Sequence, residues 1–236
     1  MKIAVLSDIH GNREALEAVL EHIARQNIDK IFICGDLAMA GPEPSRTVEF
    51  LKSFDATFIQ GNTDEMIVKN IIPPNEIMSN ALKYAQYELT DEQKSFLANL
   101  PFSHSEKIEE LNLLFVHGSP QKNNEDILPD QNQEKIAEII EGTTQDLIFC
   151  GHTHLPCGYQ VKKQTVVNVG SVGRPFCEEP KACYVTVNIN KSEAEILHHF
   201  VEYDVQSASK KLAKLPFVGA DKLAEMLIGA TNRYPE

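Results

Sequence analysis

Seven side chains with nitrogen or oxygen donors stand where apolar runs of the sequence stop. VLSDIH carries Asp8 and His10, FICGD carries Asp36, FIQGN carries Asn62, LFVHG carries His117, and IFCGHTH carries His152 and His154. One Gly-Asp after a strand is ordinarily a turn or a helix cap. One loop histidine is ordinarily solvated or a hydrogen-bonding core residue. Five such endings, which together supply four imidazoles, two carboxylates and a carboxamide, are hard to explain as caps. Nitrogen and oxygen donors without thiolate suit Mn, Fe, Zn, Ni or Co. Seven ligands exceed what one ion takes from a protein once water is counted, so the set fits two ions sharing a bridging carboxylate.

The elements around these residues must bring them to one edge. Ile3-Ala4-Val5-Leu6, Ile31-Phe32-Ile33-Cys34 and Thr57-Phe58-Ile59 read as buried strands. Between the first two, Leu16, Val19, Leu20 and Ile23 repeat at helical spacing, with Asn12 placed as the N-cap. Val48, Phe50 and Leu51 predict a second helix. This β-α-β alternation predicts parallel pairing in a layered α/β fold, whose C-terminal strand edge is where ligands bind. Glycine beside a ligand permits a tight turn and close backbone approach. Strands are expected to resume at Leu113–Val116 and Leu147–Cys150, with a helix around 133–141 between them. Thr165–Val169, Cys183–Ile189 and Ala194–Tyr203 predict strands without intervening helices.

Residues 73–101 differ in character. They run from Pro73-Pro74 to Pro101, and Thr90-Asp91-Glu92-Gln93 reads as a capping box. The expectation is one domain over 1–236, with a helical insert at about 73–101 and a C-terminal helical extension at about 205–236. Either helical region could cap the site or form a homo-oligomer contact. Net charge is −12, and the longest basic stretches are Lys162-Lys163 and Lys210-Lys211. Stable binding of polymeric nucleic acid, which needs a basic surface, is therefore not expected. No apolar run approaches membrane-spanning length, so no membrane partner is expected. The five cysteines form no CxxC pair, which predicts reduced thiols in a cytoplasmic protein. Cys34 and Cys150 precede ligand turns but read as buried packing residues.

Asp8-Ile9-His10, Gly35-Asp36, Gly61-Asn62, His117-Gly118 and Gly151-His152-Thr153-His154 occur in the order of the motifs of the calcineurin-like metallophosphoesterases, which the chain resembles over roughly residues 1–200. SDIHGN and NVGSVGRP are similar to the compact bacterial and archaeal phosphodiesterase branch. The resemblance implies an α/β (α+β) fold, an α-β-β-α sandwich of two mixed sheets flanked by helices. It implies two divalent ions per chain, with manganese first and Fe, Zn, Ni or Co as alternatives. Asp8, His10, Asp36 and His154 would hold one ion. Asp36, Asn62, His117 and His152 would hold the other, with Asp36 bridging. Asp36, Asn62 and His117 thereby count as catalytic. The implied reaction is in-line attack of metal-bound hydroxide on a small phosphorylated substrate.

Asn12 and Arg174 are weaker candidates for contact with substrate phosphate, against the plainer readings of a helix N-cap and a surface arginine. Asn168 and Ser171 are candidates for positioning the ligands. His22, His104, His198 and His199 match no motif. Many phosphatases of the family carry a histidine after the Asn, assigned as the acid that protonates the leaving oxygen. This chain has Thr63 there. A hydroxyl is no acid near neutral pH, and a general acid contributes about 10²–10⁴-fold. The expectation is therefore a phosphodiester or phosphoanhydride with a good leaving group. The alternatives are a dinucleoside polyphosphate (diadenosine tetraphosphate-type) hydrolase, a protein or small-molecule phosphatase, and a metal-binding interaction scaffold like the retromer subunit of this fold.

Overall fold

Two five-stranded sheets lie face to face in the computed structural model, which describes residues 1–232. The first is built from β1 (Lys2–Leu6), β2 (Lys30–Ile33), β3 (Thr57–Phe58), β9 (Ala182–Asn190) and β10 (Glu193–Val201), in the order β10-β9-β1-β2-β3. β1, β2 and β3 pair in parallel, whereas β9 and β10 run antiparallel. The second comprises β4 (Ser103–Ile108), β5 (Leu111–Val116), β6 (Leu147–Cys150), β7 (Cys157–Val161) and β8 (Gln164–Asn168), in the order β4-β5-β6-β8-β7. Its central strands β5, β6 and β8 are parallel, and its edges are antiparallel.

Strand alternation separates the layers. Ile3 and Val5 of β1 join Phe32, Phe115, Phe149 and Val185 in the core between the sheets, where the Phe32 and Phe115 rings stack at 3.9 Å. Ala4 and Leu6 point the other way, into a core shared with the helices. That layer holds α1 (Arg13–Ile23), α2 (Pro44–Lys52), α3 (Asn62–Lys69), α4 (Glu76–Glu88), α5 (Asp91–Ala98), α7 (Val205–Leu212) and α8 (Ala220–Gly229). α6 (Gln133–Ile139) covers the outer face of the second sheet through Ile136 and Ile139, against Leu114, Ile148 and Val166. The architecture is the expected α-β-β-α sandwich.

Local signals explain the helix starts. The Asn12 side chain accepts from the Ala15 N–H, and α2 begins with Pro44 in its first turn. Thr90 and Gln93 cap α5 reciprocally at 3.2 and 3.0 Å. α4 and α5 occupy the 73–101 region, and α7 and α8 occupy the chain after β10. Residues 233–236 of the expected C-terminal extension lie outside the described residues.

Two strands escape the sequence reading. β4 (SHSEKI) and β7 (CGYQV) are sheet edges with alternating exposure, so neither shows an apolar run. β3 is shorter than expected at two residues, although the Ile59 N–H still bonds the Ile33 carbonyl at 3.0 Å. Among the described residues no helix is long and apolar enough to cross a membrane.

Candidate metal centre

The strand ends converge because their loops are laced together by backbone bonds. Asp8 N–H donates to Gly35 O at 3.0 Å, His10 N–H to Asp36 O at 2.8 Å, and Gly151 N–H to His117 O at 2.8 Å. The glycines are required by close approach. A Cβ on Gly61 would lie 2.1 Å from Asp36 Oδ1, and one on Gly151 would lie 2.3 Å from Asp8 Oδ2. Asp8, His10, Asp36, His152 and His154 all have φ between 48° and 68°. Non-glycine residues rarely adopt this region, and such strain gathers at functional sites.

All seven expected ligands meet in this cluster. Asp8 Oδ1 lies 3.2 Å from His154 Nε2, 3.7 Å from His10 Nε2 and 3.9 Å from His117 Nε2. Asp36 Oδ2 lies 3.7 Å from His10 Nε2, and Asp36 Oδ1 lies 3.4 Å from His117 Nε2. Asn62 Oδ1 is 2.9 Å from both His117 Nε2 and His152 Nδ1. Two trios could each hold an ion, Asp8 with His10 and His154, and Asp8 with Asp36 and His117. Asp8 thus reaches both halves of the cluster, where only Asp36 was expected to be shared.

The imidazoles are oriented for ligation. His10, His117 and His154 donate Nδ1–H to the carbonyls of Met39, Cys34 and Arg174, at 2.7, 2.6 and 2.6 Å. A carbonyl only accepts, so these bonds leave Nε2 of the neutral ring bare and turned inward. His10 Nε2 and His154 Nε2 nevertheless face each other at 3.1 Å. Burial, against the pull of Asp8, holds His154 down at about 4, so its ring is neutral near pH 7. Asp8 Oδ1 is buried with no hydrogen-bond partner. Burial opposes its ionisation, but His154, His117 and His10 hold the Asp8 carboxyl well below the usual range. Lone pairs on nitrogen and ionised oxygen are thus aimed at each other in a buried site. A proton can join one such pair, but a set this size fits divalent cations. At His117 the two compete: burial disfavours its charged form, while Asp36 and Asp8 outweigh burial and raise its pKa.

Asp64 braces the Asp36 loop. It is fully buried, and its carboxylate accepts from Asp36 N–H (2.8 Å), Leu37 N–H (2.9 Å) and Gly61 N–H (3.0 Å). One side chain thus ties the Asp36 loop to the start of α3. Burial and the like charge of Asp36 push its carboxyl up to about 7. Thr63 adds an N–H bond to Asp36 Oδ1 at 2.9 Å, while its own Oγ1 is buried without a partner.

Asn12 is turned into the fold. It is fully buried, its Oδ1 caps α1, and its Nδ2 donates to Gly173 O at 2.9 Å. This corrects the expected phosphate contact: both ends of the amide are committed to the fold. Arg174 is buried rather than a surface arginine, at 7% exposure. Its carbonyl anchors His154, and its guanidinium lies 5.6 Å from the Phe176 ring centre. Asn168 Nδ2 donates to Gly151 O and Thr153 Oγ1, both at 2.8 Å, and Ser171 Oγ donates to Asp8 O at 2.9 Å. Both therefore tie down the loops that carry the clustered donors. The remaining histidines are engaged elsewhere, with Tyr184, Glu106, Asn168 and Thr186. Cys34 and Cys150 are buried, and burial raises both thiols.

Comparison with known proteins gives a consistent picture. The family model of the calcineurin-like phosphoesterase superfamily domain matches residues 1–192. An uncharacterized protein of Methanocaldococcus jannaschii is 30% identical over 231 residues, covering 90% of this chain and 92% of that protein. The crystal structure of a metallophosphoesterase from Sphaerobacter thermophilus superposes with a TM-score of 0.78 at 26% identity, covering 98% of this chain and 99% of that one. A hypothetical protein from Pyrococcus horikoshii OT3 gives a TM-score of 0.85 at 26% identity, with 97% and 98% covered.

Proposed function

The chain belongs to the calcineurin-like phosphoesterase superfamily and is a metal-dependent phosphoric ester hydrolase; from that premise we propose that it hydrolyses small phosphodiesters or phosphoanhydrides at a centre of two divalent cations. The observation that carries this reading is the disposition of Asp36. Its Oδ2 faces His10 at 3.7 Å and its Oδ1 faces His117 at 3.4 Å, so one carboxylate serves two sets of donors. Asp8, His10, Asp36 and His154 would hold one cation, and Asp36, Asn62, His117 and His152 the other. Mn²⁺ is the first metal to test, because it accepts both carboxylate and imidazole donors. When bound, the cations lower the pKa of an attacking water and neutralise charge on the phosphoryl oxygens. The chain's own part is to fix the donors through Asp64, Asn168 and the three Nδ1–carbonyl bonds. The guanidinium of Arg174 is the candidate fork for phosphoryl oxygens.

Thr63 narrows the substrate. It stands where a proton donor would stand, its Oγ1 is buried, and its N–H is spent on Asp36. Leaving groups that depart without protonation, such as phosphates, nucleotides and phenolates, therefore suit the site. With Mn²⁺, kcat/KM for bis(p-nitrophenyl) phosphate is expected to exceed that for an alkyl monoester such as glycerol phosphate by about 10²-fold or more. Dinucleoside polyphosphates belong in the same panel. A preference for the alkyl monoester would overturn the leaving-group argument. The net charge of −12 argues for small substrates over polymeric nucleic acid. The free cysteines support a reducing, cytoplasmic setting.

Metal binding should also register in stability. Mn²⁺ at a hundred times its Kd is expected to stabilise the fold by about 2.7 kcal/mol for each site it fills. For a chain of this length that raises Tm by about 5–10 °C, and a chelator should reverse it. A Tm indifferent to both would count against tight binding at the cluster.

A further inference from the structure

His152 is oriented unlike the other three imidazoles, and the difference assigns a role to Asp126. His10, His117 and His154 are each anchored at Nδ1 by a backbone carbonyl, leaving Nε2 inward. His152 is turned the other way. Its Nδ1 faces inward, 2.9 Å from Asn62 Oδ1, and its Nε2 faces outward, 3.2 Å from Asp126 Oδ1. A carboxylate this close to Nε2 favours the proton on that nitrogen electrostatically and so leaves Nδ1 bare for ligation. We propose that Asp126 is a positioning residue that fixes the tautomer and tilt of His152, and so sets the affinity of the cation shared by Asp36, Asn62, His117 and His152. This rests on the two-cation reading above.

The loop that carries Asp126 is built to hold it there. The next residue, Ile127, is 1% exposed, and its carbonyl accepts from Asn168 Nδ2 at 3.2 Å and Thr153 Oγ1 at 3.4 Å. The Tyr159 hydroxyl donates to the Leu128 carbonyl. Asn168 and Thr153 also hold the loop of His152 and His154, through the bonds of Asn168 Nδ2 to Gly151 O and Thr153 Oγ1. Carboxylate and imidazole are thus fixed by the same two side chains. The other anchors are main-chain atoms in the interior, whereas the Asp126 side chain is 58% exposed and His152 is 18% exposed. The structure therefore gives one of the two cation positions a support that a point mutation can remove without opening the core.

The test is calorimetric titration of the whole protein with Mn²⁺ after chelator treatment, compared across wild type, Asp126→Ala, Asp126→Glu and Asp130→Ala, which removes the same charge from the same loop. Asp126→Ala is expected to weaken one of two Mn²⁺ sites about 10- to 100-fold and leave the other unchanged. Asp126→Glu should recover most of the loss, and Asp130→Ala should bind as wild type does. The Tm of the chelated proteins should be the same, since an exposed side chain is lost. Equal binding by wild type and Asp126→Ala, an equal loss in Asp130→Ala, or a loss at both sites would overturn the proposal while leaving the two-cation reading intact. Fewer than two Mn²⁺ sites in wild type would remove that reading, and the proposal with it.

Discussion

Replacing Asp36 by asparagine is expected to lower kcat/KM for an activated phosphodiester about 10²–10³-fold, the cost of deleting one preorganised electrostatic group in an active site. Asparagine keeps the shape and the acceptor for the Thr63 N–H, which bonds Asp36 Oδ1 at 2.9 Å. It removes the charge that faces His10 on one side and His117 on the other. The stability effect should depend on metal. Asp8, Asp36 and Asp64 are all nearly fully buried, at 0%, 2% and 0% exposure, and like charges so placed disfavour one another. Without cations the relief of this repulsion offsets the lost attraction between Asp36 and His117, so the variant is expected to melt close to wild type. With Mn²⁺ it should lose most of the stabilisation that wild type gains. A variant of full activity, or one that melts lower with and without metal alike, would contradict the bridging role.

Replacing Asp64 by alanine should destabilise the fold by on the order of 3 kcal/mol or more. Three buried backbone N–H groups, those of Asp36, Leu37 and Gly61, would lose their acceptor, and each stranded donor costs about 1–3 kcal/mol. A loss of that size lowers Tm by about 6–12 °C for a domain of this length. The plainer view treats Asp64 as an acid in the first turn of α3, worth about 0.3–1 kcal/mol. Thermal unfolding in chelator separates the two, because a drop of 3 °C or less would reduce Asp64 to that lesser role. The damage should also reach the site, since the Asp36 loop is tied to α3 through this carboxylate.

The clustered donors were legible because each is announced locally, by an apolar run, a glycine and a donor. Gly61 and Gly151 sit where another loop leaves no room for Cβ, so the requirement shows directly as residue type. The layered fold was legible for a related reason: β1 and β6 are largely buried, near-continuous apolar runs, and β2 is an apolar run that becomes buried towards its C-terminal end. β4 and β7 were not, because edge strands carry polar residues on alternate positions. Asn12 shows a different limit. Its type fits both a helix cap and a phosphate contact, and only its bond to Gly173, 161 residues away, decides between them. Asp64 and Asp126 owe their roles to partners distant in sequence, Asp36 and Leu37 for one and His152 for the other. No local pattern encodes such pairings.

The most direct test of the central claim is to follow hydrolysis of bis(p-nitrophenyl) phosphate while Mn²⁺ is restored stepwise to chelated protein, with bound metal measured in the same samples by elemental analysis. Activity is expected to stay low through the first equivalent and to reach its plateau with the second, at two ions per chain. A plateau reached at one ion per chain, or activity that survives complete metal removal, would contradict the account.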